Sequence, residues 1–339
     1  MVHVGVDLHK HYSQVAVLEE TGEIWERRLS HDGLEVEEFF RGLPRARVAI
    51  EATGTWWWLV DLLEGLGHKA MLSHPKRTKA IASARLKNDR VDAEMLAVLG
   101  RGNLLPTVWI PPQQVREARE LLRHRLGLVW QRTKVKNRLT SLLARRNLRP
   151  TRSRTWYSQR GEAELRELGL SPTAERIRDD TLTLLHMLDD RIAEVEQQLF
   201  DRWAEDPRVR RLQSIPGIGI LTAIGIIVEL GEIRRFPSAK HLASYIGLTP
   251  RVKASGGRVR TGHISKEGNR LLRWMFVAAA TQAVRYRGPL RAWYRRIGRR
   301  KGKKIARVGL ARKLTEIVYH VWRDEIDYRE FHCRTAVRG

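Results

Sequence analysis

The first hundred residues alternate between two periodicities in an order that few folds accept. In VHVGVD (2–7), Val2, Val4 and Val6 share one face and His3, Gly5 and Asp7 the other, the period of a strand. YSQVAVLE (12–19) predicts a second strand, and Thr21-Gly22 turns the chain into a third, EIWERRLS. Asp32 is placed to cap a helix carrying Leu34, Phe39, Phe40 and Leu43, which Pro44 stops. RVAIE (47–51) reads as a fourth strand, TWWWLVDLLEGLG (55–67) as a helix, and HKAMLS (68–73) as a fifth strand. Pro75 opens another helix, and a further one starts near Asp89. The order β-β-β-α-β-α-β-α is that of an α/β ribonuclease-H-like sheet, in which the first strand lies beside the fourth.

LLPTVWIPP (104–112) breaks this pattern and reads as a linker. Residues 115–160 look helical and carry 14 Lys/Arg against two Glu, with Leu121, Leu128, Val135 and Leu142 recurring every seven. Residues 161–202 reverse the sign, with 11 acids against five Arg. There Leu185, Leu188, Ile192, Val195 and Leu199 step 3-4-3-4, the seam of a coiled coil. This pair of segments is a helical hairpin, an oligomerisation arm, or a bundle within one chain. A mainly α unit follows. IPGIG (215–219) opens an apolar helix like the hairpin of a helix-hairpin-helix element; 251–270 is Gly-rich, basic and loop-like; 285–313 holds 13 Lys/Arg and no acid. The expected domains are 1–105, 106–205, 206–328 and a tail, 329–339.

With 63 Lys+Arg against 38 Asp+Glu, the net charge of +25 demands a polyanionic partner. Nucleic acid fits better than a membrane, because no apolar run reaches the ~20 residues of a spanning helix. The start lacks the build of a signal peptide, and the single cysteine, Cys333, excludes an intramolecular disulfide and a thiolate zinc cluster. A cytoplasmic, nucleoid-associated protein is expected.

In so basic a chain, four acids stand out: Asp7, Glu51, Asp89 and Asp92, each at the end of an expected element. Asp89 and Asp92 are three apart and share a helix face. Clustered carboxylates suit Mg²⁺, which keeps several waters, and a pair of such ions serves phosphoryl transfer on nucleic acid, with Mn²⁺ as a substitute. Each acid also has a plain explanation, and for a lone Asp at position 89 a helix N-cap is the simpler one. The glycines Gly217 and Gly219 present backbone amides to a phosphate or else permit close helix packing. Ser255, in KASGGRVR, is an ordinary turn serine on its chemistry alone; with Lys253, Arg258 and Arg260 around it, it is also a candidate nucleophile. Of Trp56, Trp57 and Trp58, one or two belong in the core and the third is free to stack on a base or a partner. His9 and His11, beside Asp7, are placed at the surface, or else orient a metal-bound water.

At these residues the chain resembles the insertion sequence 110 family of transposases, relatives of the Piv invertases. VGVDLHK, IEATGTWWW and KNDRVDAE are similar to its DEDD, RuvC-like domain, and IPGIGILTAIGIIVELGEIRRFPSAKHLASYIGLTPRVKASGG with RTGHISKEGNRLLR to its C-terminal transposase domain. The resemblance implies catalytic and metal-binding roles for Asp7, Glu51, Asp89 and Asp92, and a catalytic role for Ser255, where many relatives have Ser-Ser-Gly and this chain has Ala254-Ser255-Gly256. It implies an RNA-guided recombinase working through a covalent phosphoserine, with a bridge RNA pairing donor and target DNA. It further implies a homodimer or dimer of dimers in which one subunit's acids meet another's serine. Lys266, Arg270, Arg132, Lys134, Lys136, Arg145 and Arg146 are expected among the residues that hold nucleic acid. Two rivals remain on the sequence, a Holliday-junction-type endonuclease using water and a non-catalytic architectural binder.

Overall fold

The computed structural model describes residues 1–52, 54–81, 88–255 and 258–337, with the backbone alone for 252–255, 258–261 and 335–337. They form two compact units, Met1–Pro111 and the chain from Pro112 onward.

In the first unit, strands β1 (Val2–Leu8), β2 (Tyr12–Leu18), β3 (Ile24–Ser30), β4 (Ala46–Glu51), β5 (Lys69–Ser73) and β6 (Thr107–Val108) build one sheet in the order β3-β2-β1-β4-β5-β6. β1 runs antiparallel to β2 and parallel to β4, as the ribonuclease-H-like order requires. Helices α1 (Glu35–Arg41), α2 (Trp57–Gly65), α3 (Pro75–Ile81) and α4 (Asp89–Arg101) are its crossovers and flanks. The apolar face of β1 and β4 (Val4, Val6, Val48, Ile50) shares a core with Phe40, Leu59 and Leu63. Two local expectations change. α1 starts at Glu35 without a side-chain cap from Asp32. Within the proline-bounded segment 104–112, Thr107–Val108 forms β6, pairing antiparallel with Leu72 and Ser73 at the sheet edge.

One contact on the opposite face positions the site. A Cβ on Gly5 would sit 1.9 Å from the Ala93 carbonyl oxygen and 2.6 Å from the Ala97 amide nitrogen. With no side chain at Gly5, α4 lies directly on β1, and buried Ala93 and Ala97 keep the approach close. Asp89 is one turn before Ala93, and Asp7 is two residues beyond Gly5 on the same strand face, so the helix start meets the strand end.

In the second unit the long helices α5 (Gln113–Ala144) and α7 (Pro172–Trp203) form an antiparallel hairpin, with α6 (Gln159–Arg166) in the connection. Arg125 pairs with Glu196 and Arg132 with Asp189, seven residues up one helix and seven down the other. The expected seam, Leu185 to Leu199, is buried within the chain. Its partners on α5 are Leu122, Leu126, Leu139 and Leu143, while Leu121 and Leu128 are only half-buried. The base of the hairpin shares one core with the C-terminal helices, Leu122 and Leu199 packing in the same cluster as Ile224, Phe276 and Tyr319.

Those helices are α8 (Pro207–Gln213), α9 (Ile220–Leu230), α10 (Ala239–Ile246), α11 (Arg270–Ala283), α12 (Pro289–Lys301), α13 (Lys303–Arg323) and α14 (Tyr328–Val337). Of the segment expected as a tail, residues 329–337 belong to α14, whose Tyr328 and Phe331 pack on the core. The segment expected as a loop is a two-stranded ribbon, β7 (Pro250–Ser255) and β8 (Arg258–Ile264). Its β-branched residues Val252, Val259, Thr261 and Ile264 favour extended backbone, and Ser255 pairs with Arg258 across a two-residue connection.

Candidate metal centre

Asp7, His9 and Asp89 bring one ligand atom each within 4.8 Å of one another, the only such group among the described residues. His9 Nε2 lies 3.1 Å from Asp7 Oδ2 and 3.2 Å from Asp89 Oδ2. The Tyr12 hydroxyl donates to Asp89 Oδ2 at 2.8 Å, and its ring stacks on His9 with centroids 4.5 Å apart. The Arg28 guanidinium covers the Tyr12 ring at 3.8 Å.

Asp89 is free for this because Asn88 caps α4. The Asn88 side chain accepts the Val91 amide at 2.8 Å, the capping role that a lone Asp at position 89 invited. Burial pushes the Asp7 carboxyl above the ordinary carboxylate range; the charges of Asp89 and Asp92 push the same way, against the lowering effect of His9. The Tyr12 hydroxyl is raised by its bond to Asp89, then by burial and the Asp89 charge. A carboxyl held back from ionising as Asp7 is gains from a cation. Two carboxylate oxygens and an imidazole nitrogen form a donor set that a divalent ion accepts.

The other two acids sit close by but outside that group. Val6 pairs with Ile50, so Glu51, half-buried at the end of β4, comes level with Asp7 on the neighbouring strand. Asp92 is half-buried one turn along α4. Lys87, a cation flanking Asp89 in the sequence, lies outside the described residues. Nothing in the sequence pointed to Tyr12; His9, expected mainly at the surface and otherwise as an orienter of metal-bound water, lies between the two carboxylates. The available signal for His9 was its place just past the end of β1, two residues after Asp7. Of the three tryptophans, Trp56 packs on the core and Trp58 is the exposed one, edge-on to His31.

In the second unit Ser255 ends β7 beside the ribbon's connection. The side chains of Ser255, Lys253, Arg258 and Arg260 lie outside the described residues, as do Gly256 and Gly257. The ribbon's exit is fixed to the end of α10. The Ser265 amide donates to the Thr249 carbonyl, Lys266 to Gly247 and Asn269 to Tyr245. Lys266 is exposed at positive φ, and Arg270 is exposed at the first turn of α11. Asn269 caps α11 and donates to Glu229 Oε2 at 2.6 Å. Fully buried Glu229 also takes two bonds from Arg123, and Arg119 donates to the Val228 and Glu229 carbonyl oxygens.

The expected nucleic-acid contacts differ in availability. Gly217 has φ +94°, and a Cβ there would lie 2.4 Å from the Ala279 carbonyl oxygen, so close packing on α11 accounts for this glycine. Gly219 is open and begins α9 without a side-chain cap, leaving the helix amides for an anion. Arg132 is engaged with Asp189, and Lys136 covers the Tyr157 ring. Lys134, Arg145 and Arg146 are exposed.

The family described as DEDD transposase matches residues 4–147, and the transposase IS116/IS110/IS902 family matches residues 209–295. Over its length the chain is similar to a probable family 20 transposase of Pseudomonas aeruginosa, 30% identical across 96% of this chain and 98% of the relative. It is 28% identical to the transposase for insertion sequence element IS1111A of Coxiella burnetii, across 96% and 91%. It is 29% identical to a pilin gene-inverting protein of Moraxella bovis, across 81% and 79%. A DEDD domain with this acidic cluster is an enzyme domain and implies a divalent metal. Among the described residues no helix is long and apolar enough to cross a membrane.

Proposed function

This chain belongs to the IS116/IS110/IS902 family of transposases, and from that premise we propose that it moves its element by RNA-guided, metal-dependent strand exchange with Ser255 as nucleophile. The observation that carries the metal half is the meeting of Asp7, His9 and Asp89 where α4 lies on β1. Asp7 and Asp89 would hold Mg²⁺, with Mn²⁺ as a substitute, and Glu51 and Asp92 would complete a two-ion site. Held there, divalent ions would supply charge neutralisation to the phosphoryl group under attack.

The chain's own residues do the rest. Ser255 Oγ forms a bond to phosphorus and loses its proton; the bond from phosphorus to the sugar oxygen breaks, and that oxygen leaves protonated. Lys253, Arg258 and Arg260 offset charge on the phosphate oxygens. Backbone phosphates of donor and target DNA and of a bridge RNA are held by Gly219, Lys266, Arg270, Lys134, Arg145, Arg146 and the basic segment 285–313. The active assembly is a homodimer or a dimer of dimers. Support for it comes from the resemblance, since the coiled-coil seam is buried within one chain.

Covalent trapping on a denaturing gel tests the reading. The wild-type chain with its guide and DNA gives a protein–DNA adduct, and Ser255→Ala abolishes both adduct and recombination. Strand cleavage persisting in Ser255→Ala would mean that water is the nucleophile. Unchanged activity in Asp7→Ala would remove both enzymatic mechanisms.

A further inference from the structure

We propose that α12, α13 and α14 form a receptor for one unpaired nucleotide of single-stranded DNA, with the base in an aromatic cavity and the adjoining phosphates on an arginine groove. The proposal rests on the reading of 285–313 as a nucleic-acid face and adds what that face recognises.

Two cavities adjoin there. The first, of about 420 Å³, is walled by Trp293, Tyr328, Phe331 and His332, with buried Leu290 and Ile317 also lining it. Its walls are set by the fold. A Cβ on Gly309 would lie 3.0 Å from the Trp293 ring, so glycine lets the indole rest against α13. Phe331 stacks on His320 at 5.8 Å, and the Tyr328 amide donates to Ser214 Oγ at 2.8 Å. Arg296 and Lys313 also line this cavity. The second cavity, of about 430 Å³, is lined by Arg287, Arg291 and Arg295 and shares exposed Ala292 with the first.

The charge pattern chooses the occupant. No acid lies between Arg285 and Lys313, and among the described residues none of these five cations forms an ion pair. Arg291 and Arg295 are one turn apart on α12, a rise of about 6 Å, which suits consecutive phosphates of an extended strand. Gly288 begins α12 without a side-chain cap, adding the positive end of the helix beside Arg287. A protein groove would need acids of its own to match five free cations, whereas a nucleotide carries both complements, a flat π-surface and a phosphate. Bases stacked in a duplex cannot enter such a cavity, so the strand must be unpaired. The family's established substrate makes that strand DNA.

The test uses the full chain with an oligodeoxythymidylate and an abasic strand of equal length. Thymidine-containing DNA is expected to bind about tenfold tighter than the abasic strand. A strand carrying 5-iododeoxyuridine should photocrosslink to peptides containing Trp293, Tyr328 or Phe331. Ala292→Trp, at the exposed junction of the cavities, should erase the preference for the base-bearing strand. Arg291→Ala with Arg295→Ala should weaken both strands alike. Crosslinks confined to other helices, a preference that survives Ala292→Trp, or tighter binding of the matching RNA would overturn the proposal. Equal binding of both strands removes the base receptor alone; failure of both strands to bind removes the nucleic-acid reading of 285–313 as well.

Discussion

Helices α5 and α12 both lie in strongly basic stretches of sequence, yet their charges do different work. On α5, Arg125 and Arg132 pair with Glu196 and Asp189 of α7, and Arg123 with buried Glu229. On α12 and just before it, Arg287, Arg291, Arg295 and Arg296 have no acid to meet among the described residues. Formal charge along a sequence therefore overstates the binding surface of α5 and states that of α12 fairly. The acids follow the same rule. On α7, Asp179, Asp180, Asp189, Glu194 and Glu196 pair with arginines, whereas Asp7 and Asp89 share a single histidine, His9, and Asp7 is raised by burial and by its acidic neighbours. Charge left without its complement in the fold is charge available to a ligand.

The comparison breaks most visibly at Glu229. Removing a buried carboxylate that accepts from Arg123 and Asn269 strands those donors, so Glu229→Ala should cost about 3 kcal/mol in chemical denaturation. A loss below about 0.5 kcal/mol would mean that the α5 arginines are not structural. Next is Gly5→Ala, where the new Cβ meets α4 backbone. It should cost about 2 kcal/mol in the first unit, and the displaced Asp89 should lower metal affinity as well. On α12, the pair Arg291→Ala with Arg295→Ala should leave stability within about 0.5 kcal/mol and reduce the salt slope of DNA binding by about two. Arg125→Ala with Arg132→Ala should do the reverse, lowering the melting midpoint with little change in slope. Equal slopes for the two pairs would erase the distinction.

The smallest effect is in pH. Asp7 has its folded-state pKa raised above the ordinary 3.8. The unfolded chain therefore gives up this proton first. Metal-free stability from this group is greatest below the ordinary value, falls as pH rises through it toward the raised value, and stays reduced above. A difference profile between wild type and Asp7→Asn should show that decline, and a rise with pH would contradict the sign.

Much of this was legible in the chain, for reasons that differ by element. The sheet order followed from period-two strands and helical crossovers, and the β1–β4 pairing followed from the order. Asp7 and Asp89 were legible as a pair because one lies at the end of β1 and the other opens α4. The meeting of His9 with Asp89 was not, since a histidine after a strand carries no sign of the helix that will face it; only Gly5 against Ala93 brings Asp89 there. The ribbon 250–264 was obscured by its glycines and cations, which masked the spacing of Val252, Val259, Thr261 and Ile264. The seam on α7 was plain, but its partner was not. Of the heptad on α5, Leu142 is buried and Val135 packs beside it, but nearer the base the helix buries Leu122 and Leu126 rather than Leu121 and Leu128, because there it packs on α9 as well as on α7. β6, at two residues, is too short for periodicity to register.

The central claim is that the start of α4 and the end of β1 make a metal site. Manganese binding followed by electron paramagnetic resonance tests it without DNA or guide. The wild-type chain should bind Mn²⁺ in competition with Mg²⁺ and be stabilised by about 2.7 kcal/mol at a hundredfold excess over Kd, and Asp7→Asn and Asp89→Asn should each lose both effects. Undiminished Mn²⁺ binding in the Asp7→Asn, Asp89→Asn double variant would contradict the account.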